Sequence, residues 1–207
     1  MKIAKIGFFR FFSDTMTDYT DPRIIKTYRA IRNALIDVLQ HKPFKDIAVQ
    51  DILDAALVNR STFYKYYSGK SSLAAAMIAE IREQYAQGVA ERFTTEHLGS
   101  FLNENMPQLY QHRREVLALW QVETKRLHLY RDMQEILQNA FIRHAESQRP
   151  EQNPEARRYQ AAMYAALAMA NTRYWLEQEK LPKVGETFGL LQELFDLIKV
   201  GETNEAV

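Results

Sequence analysis

The stretch FKDIAVQDILDAALVNRSTFYKYYSGKSSL, Phe44 to Leu73, decides the fold. A helical register over Val49 to Ala56 places Ile52, Leu53 and Ala56 on one face. Leu57-Val58 leave room only for a tight connection, and Asn59 is a good N-cap for a second short helix reaching about Tyr67. On that helix Phe63 and Tyr67 lie four apart and share an inward face with Val58. Arg60, Ser61, Thr62, Tyr64 and Lys65 are left pointing outward or to the flanks.

The outward set consists of donors, hydroxyls and one flat ring. No Asp or Glu occurs from Ala55 to Ala79, although 26% of the chain is charged. Such a surface suits phosphates and base edges. Lys70 stands at the start of the next helix, where free N–H groups and the dipole favour an anion. Two short helices joined by three residues form a helix-turn-helix, the unit that places its second helix in the major groove.

Working outward, Asp21-Pro22 reads as an N-cap and first turn. Ile24, Tyr28, Ile31, Leu35 and Val38 then mark an amphipathic helix to about Gln40, and Pro43 ends it. Behind the motif a long helix, 70–93, carries Leu73, Met77 and Ile81 on one face. Further helices are expected at 98–110, 113–124, 127–147, 154–180 and 185–200, the last closed by Gly201. Seven Gly and six Pro in 207 residues are few, and no segment alternates with period two. The expectation is an all-α chain with an N-terminal three-helix, helix-turn-helix DNA-binding domain and a C-terminal helical domain. Its divisions are an arm at 1–21, a head at 22–70 and a rear domain at 71–207, with helix 70–93 linking the two.

Charge is divided in the same way. Residues 1–70 hold 12 Lys/Arg against 7 Asp/Glu, net +5; residues 71–207 hold 15 against 19, net −4. A basic front fits a polyanion partner. No cysteine is present, so disulfides and Cys-ligated zinc are excluded and a reducing cytoplasm fits. No apolar run approaches membrane-spanning length, and no membrane partner is expected. The opening MKIAKIGFFRFFSDTM reads equally as a basic arm, a short interfacial helix, or residues upstream of a start at Met16. The five histidines are far apart and form no HExxH; no phosphate-binding glycine loop or G-x-S-x-G appears. Neither an enzyme, nor a cofactor, nor a metal site is expected.

The stretch Phe44–Leu73 resembles the DNA-binding region of the tetracycline-repressor (TetR) family of transcriptional regulators. The matching elements are the aromatic-x-x-Ile before the second helix, Asp-Ile within it, Ala-x-Val before the cap, Thr-Phe-Tyr-x-Tyr-Tyr, Lys70 and Leu73. The resemblance covers about residues 22–75. It implies that Arg60, Ser61, Thr62 and Lys65 face the groove and that Gln50 reads a base or phosphate. By the same resemblance Tyr64 and Lys70 hold the backbone, with Tyr66 assisting, while Phe63, Tyr67 and Leu73 are core. Ala48 stands where the family commonly has Thr or Ser, which removes a helix N-cap and a phosphate contact; Asn59 replaces the usual Ser and keeps capping ability.

The resemblance also implies a small-molecule pocket in the rear domain, with Trp120, Tyr130, Met133, Tyr164 and Trp175 as candidate lining. AAMYAALAMA, Tyr174 and Trp175, followed by a stripe of Phe188, Leu191, Phe195 and Ile198 beside Leu190, Leu194 and Leu197, form more apolar surface than one helix can hide. An isologous homodimer would bury it and demand a palindromic operator. The expected function is a DNA-binding regulator, a repressor released by a small molecule. The other reading is a ligand-independent or coactivator-type regulator acting through protein partners.

Overall fold

The structure is a computed structural model that describes residues 21–94, 98–181 and 183–197, without the side chains of Leu98, Val184 and Phe188. Residues 1–20 of the expected arm at 1–21, both candidate starts, Ile198 and Gly201 lie outside the described residues, as does the side chain of Phe188. Nine α-helices make up the described chain, with no strand among the described residues. They are α1 (Pro22–Leu39), α2 (Val49–Ala56), α3 (Arg60–Tyr64), α4 (Lys70–Arg92), α5 (Leu98–Gln111), α6 (Arg113–Trp120), α7 (Leu129–Gln148), α8 (Pro154–Glu177) and α9 (Val184–Leu197). A single 3-10 turn, Phe44–Asp46, precedes α2.

α1 begins as expected: the Asp21 carboxylate accepts from the Arg23 N–H at 2.8 Å, with Pro22 in the first turn. Its inward stripe of Ile31, Leu35 and Leu39 packs with Ile52 and Leu53 of α2 and Phe63 of α3. Ala48 has no side chain to cap α2, but the Asp51 carboxylate reaches back to the Ala48 N–H at 2.7 Å. Lys42 meets the same carboxylate at 2.7 Å, and that hydrogen bond is the largest cause holding Asp51 below its ordinary range. Half of the capping arrangement therefore survives the alanine.

α3 is shorter than expected. It stops at Tyr64 and the chain continues to Tyr67 in single turns, with the Tyr66 and Tyr67 N–H groups both donating to the Phe63 carbonyl at 3.0 Å. Asn59 holds extended backbone and its carbonyl accepts from Thr62 and Phe63, but its side chain makes no capping bond. Helices expected at 113–124 and 154–180 also end early, at Trp120 and Glu177.

A single continuous core joins the head to what lies behind it. Buried residues run without a break from Ile31 through Leu73, Ile81 and Val116 to Trp175. α4, about 34 Å long at ~1.5 Å per residue, is the shared rod. Its head end carries Leu73, its middle Met77, Ile78 and Ile81, its far end Tyr85 and Val89, all buried. α7 packs along that rod and α8 packs on α7, with Tyr85 of α4 reaching the Met169 sulfur of α8, while α5 packs with α9.

Candidate nucleic-acid interface and rear cavity

The turn between α2 and α3 holds its shape through backbone rather than glycine. Leu57 sits in the left-handed region at φ 53°, ψ 43°, and its N–H and that of Val58 both return to the Leu53 carbonyl. The Leu57 side chain is 91% exposed, so no burial offsets the conformational cost. This turn sets α3 across α2 and fixes Phe63, fully buried, beneath the exposed face.

On that face Arg60, Ser61, Tyr64 and Lys65 are exposed and Thr62 is half-buried. The Tyr64 ring stands edge-on to Phe63 at 5.5 Å, which limits its freedom. Gln50 on α2 lies beside them. Its amide NH2 donates to Asp54 at 2.8 Å while its carbonyl accepts from the Arg60 guanidinium at 3.4 Å. Six of the eight sequence-derived residues thus share one exposed or half-buried surface, and Asp54 joins them unforeseen. The Gln50–Asp54 spacing of four was visible in sequence; the Arg60 link across the turn was not.

The other two residues sit differently from the expectation. The Lys70 ammonium donates to the carbonyls of Phe44 at 2.8 Å, Lys45 at 3.0 Å and Ile47 at 2.5 Å. All three of its donors are used inside the protein, and the side chain staples the 3-10 turn to α4. The reason is geometric: the carbonyls of Phe44, Lys45 and Ile47 converge on the ammonium at the start of α4. Tyr66 is half-buried and packs edge-on against Tyr28 at 6.3 Å and beside Tyr67 at 6.5 Å.

A buried charge cluster ties this head to the rear. Arg32 of α1 is 2% exposed and bonds Glu80 of α4 through both terminal nitrogens at 2.9 Å each. Tyr28 accepts from the same guanidinium at 2.5 Å, and Glu115 of α6 lies 4.0 Å away. Burial, the largest cause, pushes the Glu80 carboxyl above its ordinary range and Glu115 up to about 7, against the pull of Arg32.

Behind the cluster lies a cavity of about 210 Å³ between α4, α5, α7, α8 and α9. Its walls include Tyr85, Val89, Phe101, Met106, Leu109 and Leu191, with Arg92 at its rim of α4 residues. Of the five candidate lining residues, Tyr164 and Trp175 line it. Trp120, Tyr130 and Met133 do not. They form their own cluster, Trp120 edge-on to Tyr130 at 5.0 Å and donating to the Met133 sulfur at 3.2 Å, with Arg173 stacked over both rings. Those mutual contacts, rather than the cavity wall, hold the three side chains.

The expected interface residues also divide. Leu191 lines the cavity, whereas Phe195 and Tyr174 are exposed. Leu190, Leu194 and Leu197 on α9 and Tyr159, Met163 and Leu167 on α8 are exposed too, at helical spacing. Together they leave an apolar surface larger than scattered leucines account for.

Among the described residues no three His, Asp or Glu side chains are grouped to hold a metal ion, and no helix is long and apolar enough to cross a membrane. Residues 31–77 match the family described as bacterial regulatory proteins, tetR family. A curated relative, the uncharacterized HTH-type transcriptional regulator YxbF of Bacillus subtilis (strain 168), is 36% identical over 59 residues. That match spans 28% of this chain and only 16% of that protein's length. Among solved structures, the fatty acid degradation regulator FadR from Bacillus halodurans superposes with a TM-score of 0.56 at 15% identity, covering 89% of this chain and 98% of that one. That likeness concerns the fold alone.

Proposed function

We infer that this chain, whose residues 31–77 match the family described as bacterial regulatory proteins, tetR family, is a sequence-specific DNA-binding transcriptional regulator. The observation that carries the reading is the acid-free outward face of α3, held rigidly over buried Phe63 and set across α2 by a left-handed turn. In this reading 22–70 is the DNA-binding head and 71–207 the regulatory and dimerisation domain. Arg60 and Lys65 reach base edges, Ser61, Thr62 and Tyr64 hold the phosphates, and Gln50 sets the Arg60 guanidinium before contact.

The exposed stripes of α8 and α9 supply a two-fold interface, four helices from two chains, and the two heads then read a palindrome. The protein works in the cytoplasm as a repressor. A small molecule in the cavity shifts α4, and α4 carries the shift to the head through Glu80–Arg32 and the Lys70 staple.

The test is selection of bound fragments from genomic DNA by the purified protein. An enriched inverted repeat is expected, with Arg60→Ala and Lys65→Ala each relaxing discrimination at one pair of symmetric positions. If the wild type enriches nothing, the DNA-binding reading fails and a regulator acting through protein partners takes its place.

A further inference from the structure

We propose that the cavity takes an amphiphilic carboxylate, its apolar body among α5, α8 and α9 and its anionic head on Arg92. This deepens the effector reading above and rests on it for its consequence at DNA.

Among the described residues Arg92 is the one charged side chain that lines the cavity, and none of the described Asp or Glu residues lines it. Its Nε is buried and without a hydrogen-bond partner. Its guanidinium stacks over the Phe93 ring at 5.5 Å and influences the Tyr164 hydroxyl beside it. No ion pair joins Arg92 to a carboxylate of the described residues within 4.0 Å, whereas Arg32 and Arg157, the buried arginines, each have one. A half-buried guanidinium facing aromatic and aliphatic walls without a counter-ion is costly, and an arriving anion removes that cost. The planar fork fits a carboxylate with two parallel bonds.

The remaining polarity of the cavity is largely committed. Trp175 donates to the Thr187 hydroxyl at 3.0 Å, Thr172 donates to the Ala168 carbonyl at 2.8 Å, and Asn105 donates to the Phe101 carbonyl at 2.8 Å. Asn171 adds a neutral amide, which does not alter the sign of the site. On α8 the lining runs from Tyr164, near Arg92, to Trp175, about 16 Å farther along the helix. The wall between them is Leu167, Ala168, Met106, Leu109 and Leu191. One end is therefore cationic and the rest apolar, so a cation is repelled and a neutral chain leaves Arg92 unmet.

The probes are octanoate, octan-1-ol and octylammonium, each below its micellar concentration, titrated into the full chain with Trp175 fluorescence and melting temperature as readouts. Octanoate is expected to bind at least tenfold more tightly than octanol, and octylammonium more weakly than either. From hexanoate to octanoate each methylene tightens binding about fourfold. Arg92→Gln is expected to equalise octanoate and octanol while retaining octanol, which also reports an intact cavity. Equal binding of the acid and alcohol in the wild type, a preference that survives Arg92→Gln, or no response to any probe overturns the proposal. Retention on the selected operator is measured in the same titration. Octanoate that binds without releasing DNA supports the proposal and defeats the effector reading; octanol that releases DNA as well as octanoate does the reverse.

Discussion

Glu115→Gln probes the buried joint between α1, α4 and α6. In the wild type the Arg32 guanidinium is already satisfied by Glu80 through two bonds of 2.9 Å, and Glu115, 8% exposed, is a second carboxylate 4.0 Å away. Burial raises its pKa from 4.5 to about 7, with Arg32 lowering it and Glu80 raising it. Between those values the folded chain keeps a proton that the unfolded chain has lost, so this group makes stability fall as pH rises through 4.5 to 7 and adds no further slope above. At about 1.4 kcal/mol per pH unit the interval amounts to about 3 kcal/mol. His112, 3.9 Å from Glu115, acts with the opposite sign. Burial lowers its pKa from 6.5 to about 4, so its contribution to stability rises with pH across that window and is complete above it. In the wild type these two contributions should therefore nearly cancel from pH 4.5 to 6.5. The glutamine variant, keeping only the histidine contribution, should gain stability across the same range. Urea unfolding at pH 4.5, 6 and 8 measures the difference: near zero at pH 4.5, and in favour of Gln by up to about 3 kcal/mol at pH 8. A difference that is the same at pH 4.5 and pH 8 would refute the reasoning.

Lys70→Met removes the donor of three carbonyls and should lower stability by about 2–3 kcal/mol in thermal melts, at about 1 kcal/mol for each hydrogen bond lost. The salt dependence of DNA binding should be unchanged, and a slope reduced by about one would place the ammonium on a phosphate instead. Leu57→Asn should stabilise the fold by roughly 0.5–1 kcal/mol, since asparagine tolerates the left-handed region and the leucine loses no burial. An unchanged or lower urea midpoint would show that the leucine contributes something the exposed turn conceals. Leu194→Glu, on the exposed α9 stripe, should yield a monomer in sedimentation while leaving the helical content intact. A persistent dimer would move the interface away from α9.

The sequence by itself determined most of the helices and the exposed, acid-free face of α3. Those depend on neighbours three and four residues apart, on caps such as Asp21, and on breakers such as Pro43, all of them local. For the same reason Phe63 and Tyr67 were legible as core beneath Arg60, Ser61 and Lys65. Asn59 marks the limit of that approach: its type fits a cap, but its side chain makes no capping bond here. Tertiary structure alone decided Lys70, because its partners at Phe44, Lys45 and Ile47 are more than twenty residues away and are brought in front of α4 by the fold. It decided Tyr66, drawn inward by Tyr28 of α1. It also decided which aromatics meet the cavity and that Arg92 stands there with no Asp or Glu of the described residues lining the same space. An apolar stripe on a helix shows that something must cover it, but which side chains face a cavity, a neighbour or a second chain follows from the rotation of several helices against one another, and that rotation is set by packing between distant segments.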